Sequence, residues 1–343
     1  HPVPDSNSLA AGNRIISMIN DCGEDTLVFF LLSGGGSSLV ESPRSPEVKL
    51  EEIQRLNELL VGCGAKIGEI NTIRKMYSRI KGGRLGYLAR RLRSVAVLVS
   101  DVNPGDLTSL ASNPLLPEPV GQEEARSVIE RYGLMERMPE TLQRVMEQSD
   151  PLAGASWTWE GDNLSIVSLL DNRDALKAAA HVAEGLGYRV ELDFNSIEDQ
   201  YQTVAEDHIN RILELQSLNT SKPVCLISGG EVSCPVKGSG AGGRNQEFVL
   251  YSATRLAAIE SDSDITVLSC GTDGVDGNSL AAGAVAGAEL VRSAINQGVD
   301  ITGFFERSDT HSFFRQFGGT VFTGPTGNNV RDIRILLANP VSL

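Results

Sequence analysis

Arg244 follows a run of glycines in KGSGAGGRNQEF (Lys237–Phe248), and that pairing of residue types can handle an anion. Glycines let backbone N–H groups come close to a ligand, and a guanidinium is permanently charged and bidentate, so it suits carboxylate or phosphate. Gly238, Gly240 and Gly243 satisfy the G-x-G-x-x-G dinucleotide pattern, but the residues before them, Val232–Lys237, hold Ser, Cys and Pro, a poor core for a parallel sheet. The stretch also stops short of a P-loop, because Arg244-Asn245 stand where Lys-Ser/Thr would. What survives is a glycine loop entering a helix with Arg244 at its rim.

Three further stretches invite the same question. SGGGSS (Ser33–Ser38) follows an apolar run and can aim successive amides at a phosphate; a tight turn without a ligand is the plainer reading. NTIRKMYSRIKGGRL (Asn71–Leu85) gathers Arg74, Lys75, Arg79, Lys81 and Arg84, either a solvated helix face or an anion-binding cluster. The loops SDVNPGD (Asp101, Asp106) and GTDGVDG (Asp273, Asp276) place carboxylates where Mg²⁺ bridging phosphates is commonly held, although Asp is also an ordinary capping and turn residue. G-x-S-x-G is absent and the four histidines are scattered, which argues against a His-based triad or a zinc site.

These loops need strand ends to hold them. Four apolar runs, from Thr26, Ser94, Pro223 and Ile265, each end in one of the Gly- or Asp-rich turns and read as strands buried on both faces, as in parallel sheets. Helix-period stretches lie between them at 49–63, 123–132, 175–186, 203–215, 245–259 and 281–296. Strand alternating with helix predicts an α/β fold with ligands at the carboxyl ends of the strands. At 343 residues the chain is long for one hydrophobic core and comfortable for two. With 30 Lys plus Arg against 44 Asp plus Glu, the bulk charge opposes nucleic acid and anionic membranes. Five cysteines without C-x-x-C spacing favour a reducing compartment, so a cytoplasmic location is expected. No apolar run approaches the roughly 20 residues that span a bilayer.

Taken in order, HPVPDSNS, SGGGSS, NTIRKMYSRIKGGRL, SDVNPGD, SGGE, GSGAGGRNQEF, GTDGVDG and TGPTGNNVRD resemble the type 2 glycerate kinase family, whose C-terminal portion is the MOFRL domain. The resemblance implies ATP-dependent phosphorylation of D-glycerate at its 2-hydroxyl, with Mg²⁺, in a cleft between two three-layer α/β/α domains. The expected division is a Rossmann-like domain over 1–155 and a second over 156–343, with the MOFRL region at about 223–340. It also implies residues upstream of His1, including a Gly-Lys-Ala turn with a catalytic lysine, so the first domain is expected to be incomplete. By resemblance Arg244, Lys81 and Asp273 are catalytic. Ser33, Gly34, Gly35, Gly36, Ser37, Ser38, Gly240, Gly242, Gly243 and Asn245 contact the nucleotide. Asn71, Arg74, Arg84 and Glu231 bind substrate, and Asp101, Asp106 and Asp276 hold metal. The partner is a small hydroxy acid, and a homodimer is compatible with the reading.

The chain departs from the family in places. Asn103-Pro104 lengthen the acidic loop, ASNPLL (Ala111–Leu116) replaces ASGPT, and GGEVSCPV replaces GGETTV. Two rival readings stay open: an NAD(P)H-dependent hydroxypyruvate reductase, which needs a parallel strand before Gly238 and has Glu260 available for a ribose, and a non-catalytic nucleotide- or hydroxy-acid-binding relative.

Overall fold

The computed structural model describes residues 3–103, 105–118, 121–148, 150, 152, 157–219, 221–259 and 264–340. It is a mixed α/β protein with two sheets. Its contacts divide it into two compact units, His1–Ser100 with Gly105–Leu169, and Asp101–Pro104 with Leu170–Leu343. The expected boundary at 155/156, and Pro104 of the acidic loop, lie outside the described residues.

The N-terminal unit runs α1 (Ser6–Asn20), β1 (Leu27–Leu32), α2 (Gly36–Leu39), α3 (Leu50–Gly62), α4 (Ile67–Tyr77), α5 (Arg84–Ala89), β2 (Arg93–Val99), α6 (Gln122–Arg131), α7 (Glu140–Glu147) and β3 (Leu164–Leu170). Helical spacing explains its main core. Leu56, Leu59 and Leu60 of α3 meet Ile73 and Met76 of α4, Ile129 of α6 and Leu142 of α7. Each such side chain contributes roughly 1.5–3 kcal/mol when fully buried. Glu52 and Glu69 fold back on the first turns of α3 and α4, accepting the Lys49 N–H at 2.8 Å and the Lys66 N–H at 2.9 Å. The sheet order is β1-β2-β3, with β1 and β2 parallel. β1 departs from the sequence expectation of burial on both faces. It is an edge strand, and Leu27, Phe29 and Leu31 are exposed.

The C-terminal unit runs α8 (Asn172–Gly185), β4 (Arg189–Ile197), α9 (Tyr201–Leu218), β5 (Val224–Gly230), α10 (Arg244–Ala258), β6 (Ile265–Gly271), β7 (Gly283–Gly287), α11 (Ala288–Asn296), α12 (Ile301–Glu306), α13 (Thr310–Phe317), β8 (Thr320–Val321) and β9 (Asp332–Ala338). The sheet order is β4-β5-β9-β6-β7-β8. β4 and β5 are parallel, joined by the α9 crossover, whereas β9 inserts antiparallel to both β5 and β6. The sheet is therefore mixed, not the parallel one that four apolar runs predict. Alternation along the strands makes three layers. Cys225, Ile227, Ile333 and Ile335 face Leu176 and Ala180 of α8, while Val224, Leu226 and Leu336 face the core built by α9, α10, α11, α12 and α13. The helix expected over 281–296 begins instead as β7. Gly283 marks the close approach there, since a Cβ would stand 1.9 Å from the Ser269 carbonyl oxygen.

One consequence of the register places the chemistry. Asp332, the first residue of β9, is level with Gly230, the last of β5, and with Gly271, the last of β6. The loops carrying Glu231, Asp273, Asp276 and Arg331 thus leave one end of the sheet together.

Candidate active site

At that end the Arg244 side chain is gripped by two carboxylates. Its Nε donates to Asp332 Oδ2 at 2.6 Å, and Nη2 donates to Asp332 Oδ1 and to Glu231 Oε1, both at 2.9 Å. Asp332 is fully enclosed, while Arg244 and Glu231 keep 36% of their side-chain surface exposed. The bidentate clamp fixes the guanidinium plane. Nη1 donates to no protein acceptor among the described residues, so one edge of the cation stays available. Burial works against the charge, but the Asp332 hydrogen bonds and the Asp332, Glu231 and Asp276 charges outweigh it and hold Arg244 above its ordinary pKa. Burial pushes Glu231 up, opposed by Arg244 and assisted by Asp332 and Asp101.

Asp276 anchors the helix that carries Arg244. Its Oδ1 accepts the Asn245 backbone N–H at 3.0 Å and Asn245 Nδ2 at 3.2 Å; Oδ2 accepts the Gln246 N–H and Nε2, both at 2.9 Å. Ser269 Oγ then holds Asn245 Oδ1, Gln246 Nε2 reaches Ser279 Oγ, and His311 Nδ1 lies 3.0 Å from Gln246 Oε1. Asp276 is 1% exposed, with burial pushing its pKa up, and its oxygens are committed to four N–H donors. This corrects the metal role expected of Asp276: it is the cap of α10. Asn245 is likewise enclosed, and its side chain is spent on Asp276 and Ser269.

The glycine loop before α10 is bound to its own protein. The Gly240 N–H donates to the Arg307 carbonyl, the Ala241 N–H to Asp309 Oδ1 and the Gly242 N–H to Asn278 Oδ1. A Cβ on Gly243 would stand 2.3 Å from Asp276 Oδ1. These glycines are thus required by packing, and among the described residues only the amides of Gly243 and Arg244 at the helix start lack an acceptor in this turn from Gly240 to Gln246. Between the end of β5 at Gly230 and Gly238 there is no strand, only an isolated bridge from Ser233 to Gln200.

The remaining acidic residues scatter. Asp273 is half-buried and accepts the Val275 N–H at 3.0 Å. Asp101 is half-buried, with burial pushing its pKa up against the Arg331 charge. Arg331 donates to Asn103 Oδ1 and, at 2.7 Å, to Glu198 Oε1, and so ties residue 103 to the C-terminal unit. Asp106 belongs to the N-terminal unit and holds Thr108 Oγ1 at 2.8 Å and Ser109 Oγ at 2.6 Å. Among the described residues no three His, Cys, Asp or Glu side chains are placed to share a metal ion.

In the N-terminal unit the basic segment is mostly consumed by the fold. Lys81 is 1% exposed and paired with Glu41, which also accepts from Ser78 Oγ at 2.6 Å. Arg84 is buried and doubly bonded to Asp150, and Lys75 bonds both oxygens of Glu118 at 2.7 and 2.8 Å. The free ammonium and guanidinium expected of Lys81 and Arg84 are internal ion pairs. Arg74 differs. Among the described residues only its Nε has an acceptor, Asn57 Oδ1 at 2.8 Å, and it lines a small cavity with Pro4, Ser37, Ser38 and Tyr77. Ser37 Oγ lies 2.7 Å from Ser112 Oγ, which reaches Asn71 Oδ1 at 3.4 Å. In the turn ahead of them Ser33 is exposed, Gly34, Gly35 and Gly36 are half-buried, and the Gly36 and Ser37 amides have no protein acceptor among the described residues.

Sequence reasoning missed Asp332, Arg331 and Gln246. Gln246 lies inside the GGRNQE motif, where position alone could have flagged it. Arg331 and Asp332 close the TGPTGNNVRD stretch, and that membership is their signal, since charge alone does not separate Asp332 from any charged strand start.

Comparison with known proteins gives the family. Residues 1–147 match the family described as a domain of unknown function, DUF4147, and residues 224–332 match the MOFRL family. A D-glycerate 2-kinase of Thermotoga maritima is 34% identical over 337 residues, covering 98% of this chain and 78% of that protein. A protein of Agrobacterium vitis that carries a provisional hydroxypyruvate reductase name is 36% identical, with 98% of this chain and 86% of that protein covered. The crystal structure of a glycerate kinase from Thermotoga maritima superposes with a TM-score of 0.84 at 34% identity, over 98% of this chain and 79% of that one. Identity at this level across nearly the whole chain, on the same fold, makes the protein a member of the glycerate 2-kinase family.

Proposed function

We propose that the chain transfers the γ-phosphoryl group of ATP to the 2-hydroxyl of D-glycerate. The observation that carries this reading is the Arg244 clamp: a guanidinium fixed by Asp332 and Glu231, with Nη1 open, at the first turn of the 15-residue helix α10. Helix N-termini favour anions, and phosphoryl transfer depends on positioning and on charge stabilisation at the transferring group. Arg244 and the free amides of Gly243 and Arg244 would receive the phosphate oxygens. Asp332 keeps the cation oriented, so little reorganisation is needed as charge develops.

Mg²⁺ usually arrives on substrate phosphates with one or two protein carboxylates, so here it would be brought in on ATP. Asp273, with one carboxylate oxygen still uncommitted, is our choice for a catalytic or metal-contacting acid at this end of the sheet. In the N-terminal unit Arg74, not Lys81 or Arg84, has donors to spare for an anion.

The reductase reading requires a parallel strand before Gly238 and free glycine amides; the first is absent among the described residues, and most of the second are bonded internally. Glu260 lies outside the described residues. Coupled assays separate the readings: ADP release dependent on D-glycerate is expected, and NADH oxidation by hydroxypyruvate without ADP release would overturn the proposal.

A further inference from the structure

We propose that Glu231 is the proton acceptor for the attacking hydroxyl, a catalytic role beyond binding substrate; the inference rests on the kinase reading. Three observations carry it. First, Glu231 directly follows the buried strand β5, at the same sheet end as Arg244, and its Oε1 touches Arg244 Nη2 at 2.9 Å. A group beside the cation that holds the transferring phosphoryl stands where the nucleophile must come. Second, its Oε2 has no donor among the described residues, and 36% of the side chain is exposed. Third, the two other carboxylates that hold Arg244 and the start of its helix are committed. Asp332 spends both oxygens on Arg244 at zero exposure, and Asp276 spends both on the α10 cap.

The step balances as follows. The glycerate 2-hydroxyl proton passes to Glu231 Oε2 as its oxygen forms a bond to the γ-phosphorus, and the bond from that phosphorus to the bridging oxygen breaks. ADP leaves with the electron pair, and the proton later passes from Glu231 to solvent. The charged neighbours of Glu231 are Arg244, Asp332, Arg331 and Asp101. Burial, with Asp332 and Asp101, raises its pKa and makes it a stronger base than an exposed glutamate, while the Arg244 and Arg331 charges oppose that rise.

Glu231→Gln separates this role from mere positioning of Arg244, because the amide oxygen still accepts the Nη2 hydrogen bond but cannot take a proton. Proton transfer by a positioned side chain contributes about 10²–10⁴-fold. The variant should lose kcat on that scale with little change in KM for ATP, and the fall of kcat toward low pH should vanish. Its melting temperature should match the wild type. If Glu231→Gln does not fold, Glu231→Asp serves instead: it retracts the carboxylate by one methylene and should lower kcat while keeping the acidic limb. A Glu231→Gln enzyme with near-normal kcat, or Glu231→Asp with unchanged kcat, overturns the assignment and leaves the kinase reading intact. A wild type that releases no ADP with D-glycerate overturns both.

Discussion

Arg84 and Arg244 are both arginines held by a buried aspartate at two points, yet they do different work. Arg84 meets Asp150, which also lies 2.8 Å from Arg44 Nη1, and all three are closed off from solvent or nearly so. Arg244 meets Asp332, but a third of its surface and one Nη group face outward. A buried, saturated ion pair costs desolvation and is weak evidence of function; what it does is make each partner indispensable to the other. A half-exposed arginine with an unfilled edge is held ready for a ligand. The glycine turns differ in the same sense, since the amides of residues 240–242 are bonded internally and those of Gly36 and Ser37 are not.

The largest effect that could break this comparison is on the closed side. Asp150→Ala strands two buried guanidinium groups, and breaking a buried pair costs about 3–5 kcal/mol. Urea unfolding should show a loss on that scale, whereas a change below about 1 kcal/mol would mean the pair behaves as an exposed one. Asp276→Ala comes next. It removes the acceptor of two backbone and two side-chain donors, a cap worth about 1–2 kcal/mol or more when enclosed. Lower stability with an unchanged Mg²⁺ requirement is expected; normal stability with a raised Mg²⁺ requirement would restore the metal role.

The smallest effects come from two buried titratable groups on helices of the C-terminal unit. Burial and the Arg334 charge hold His208 down at about 4, with its ring bonded to Val204 O and Ser228 Oγ. Its folded pKa lies below the unfolded value, so the unfolded state binds more protons and stability falls as pH drops from about 6.5 toward 4. Burial pushes Glu247 up to about 7, so there the folded state binds the extra proton and stability rises as pH drops from 7 toward 4.5. Between pH 7 and 5.5 each contributes about 1 kcal/mol with opposite sign. From pH 7 to 5.5, relative to the wild type, the change in stability should therefore be more favourable in His208→Gln and less favourable in Glu247→Gln. Two variants with the same slope would show that one of these environments is wrongly assigned.

Much of the fold was legible because apolar runs and helical spacing are local signals: α3, α6, α8, α9 and α10 fall within a few residues of expectation. The missed strands have physical reasons. β9 carries Asp332 and Arg334 on one face of DIRILLA, charged residues that only tertiary partners make tolerable in a buried strand; Arg334 Nε reaches Ser228 Oγ at 3.2 Å. β7 reads GAVAG, small residues whose helical propensity yields to a close approach against β6. At the site, Arg244 stood out at the end of its glycine loop, whereas Glu231 entered only through the family resemblance. Lys81, Arg84 and Asp276 looked equally well placed, because a sequence shows a charge but not the partner that consumes it.

The central claim is that Arg244 acts on the transferring phosphoryl group, and the value of kcat/KM for D-glycerate in Arg244→Ala tests it most directly. Losing one such stabilising donor costs about 10²–10³-fold, so a drop at least that large is expected at a temperature where the variant is folded, and the melting temperature should fall because enclosed Asp332 loses its partner. An Arg244→Ala enzyme that phosphorylates D-glycerate within a few-fold of the wild-type rate would contradict the account.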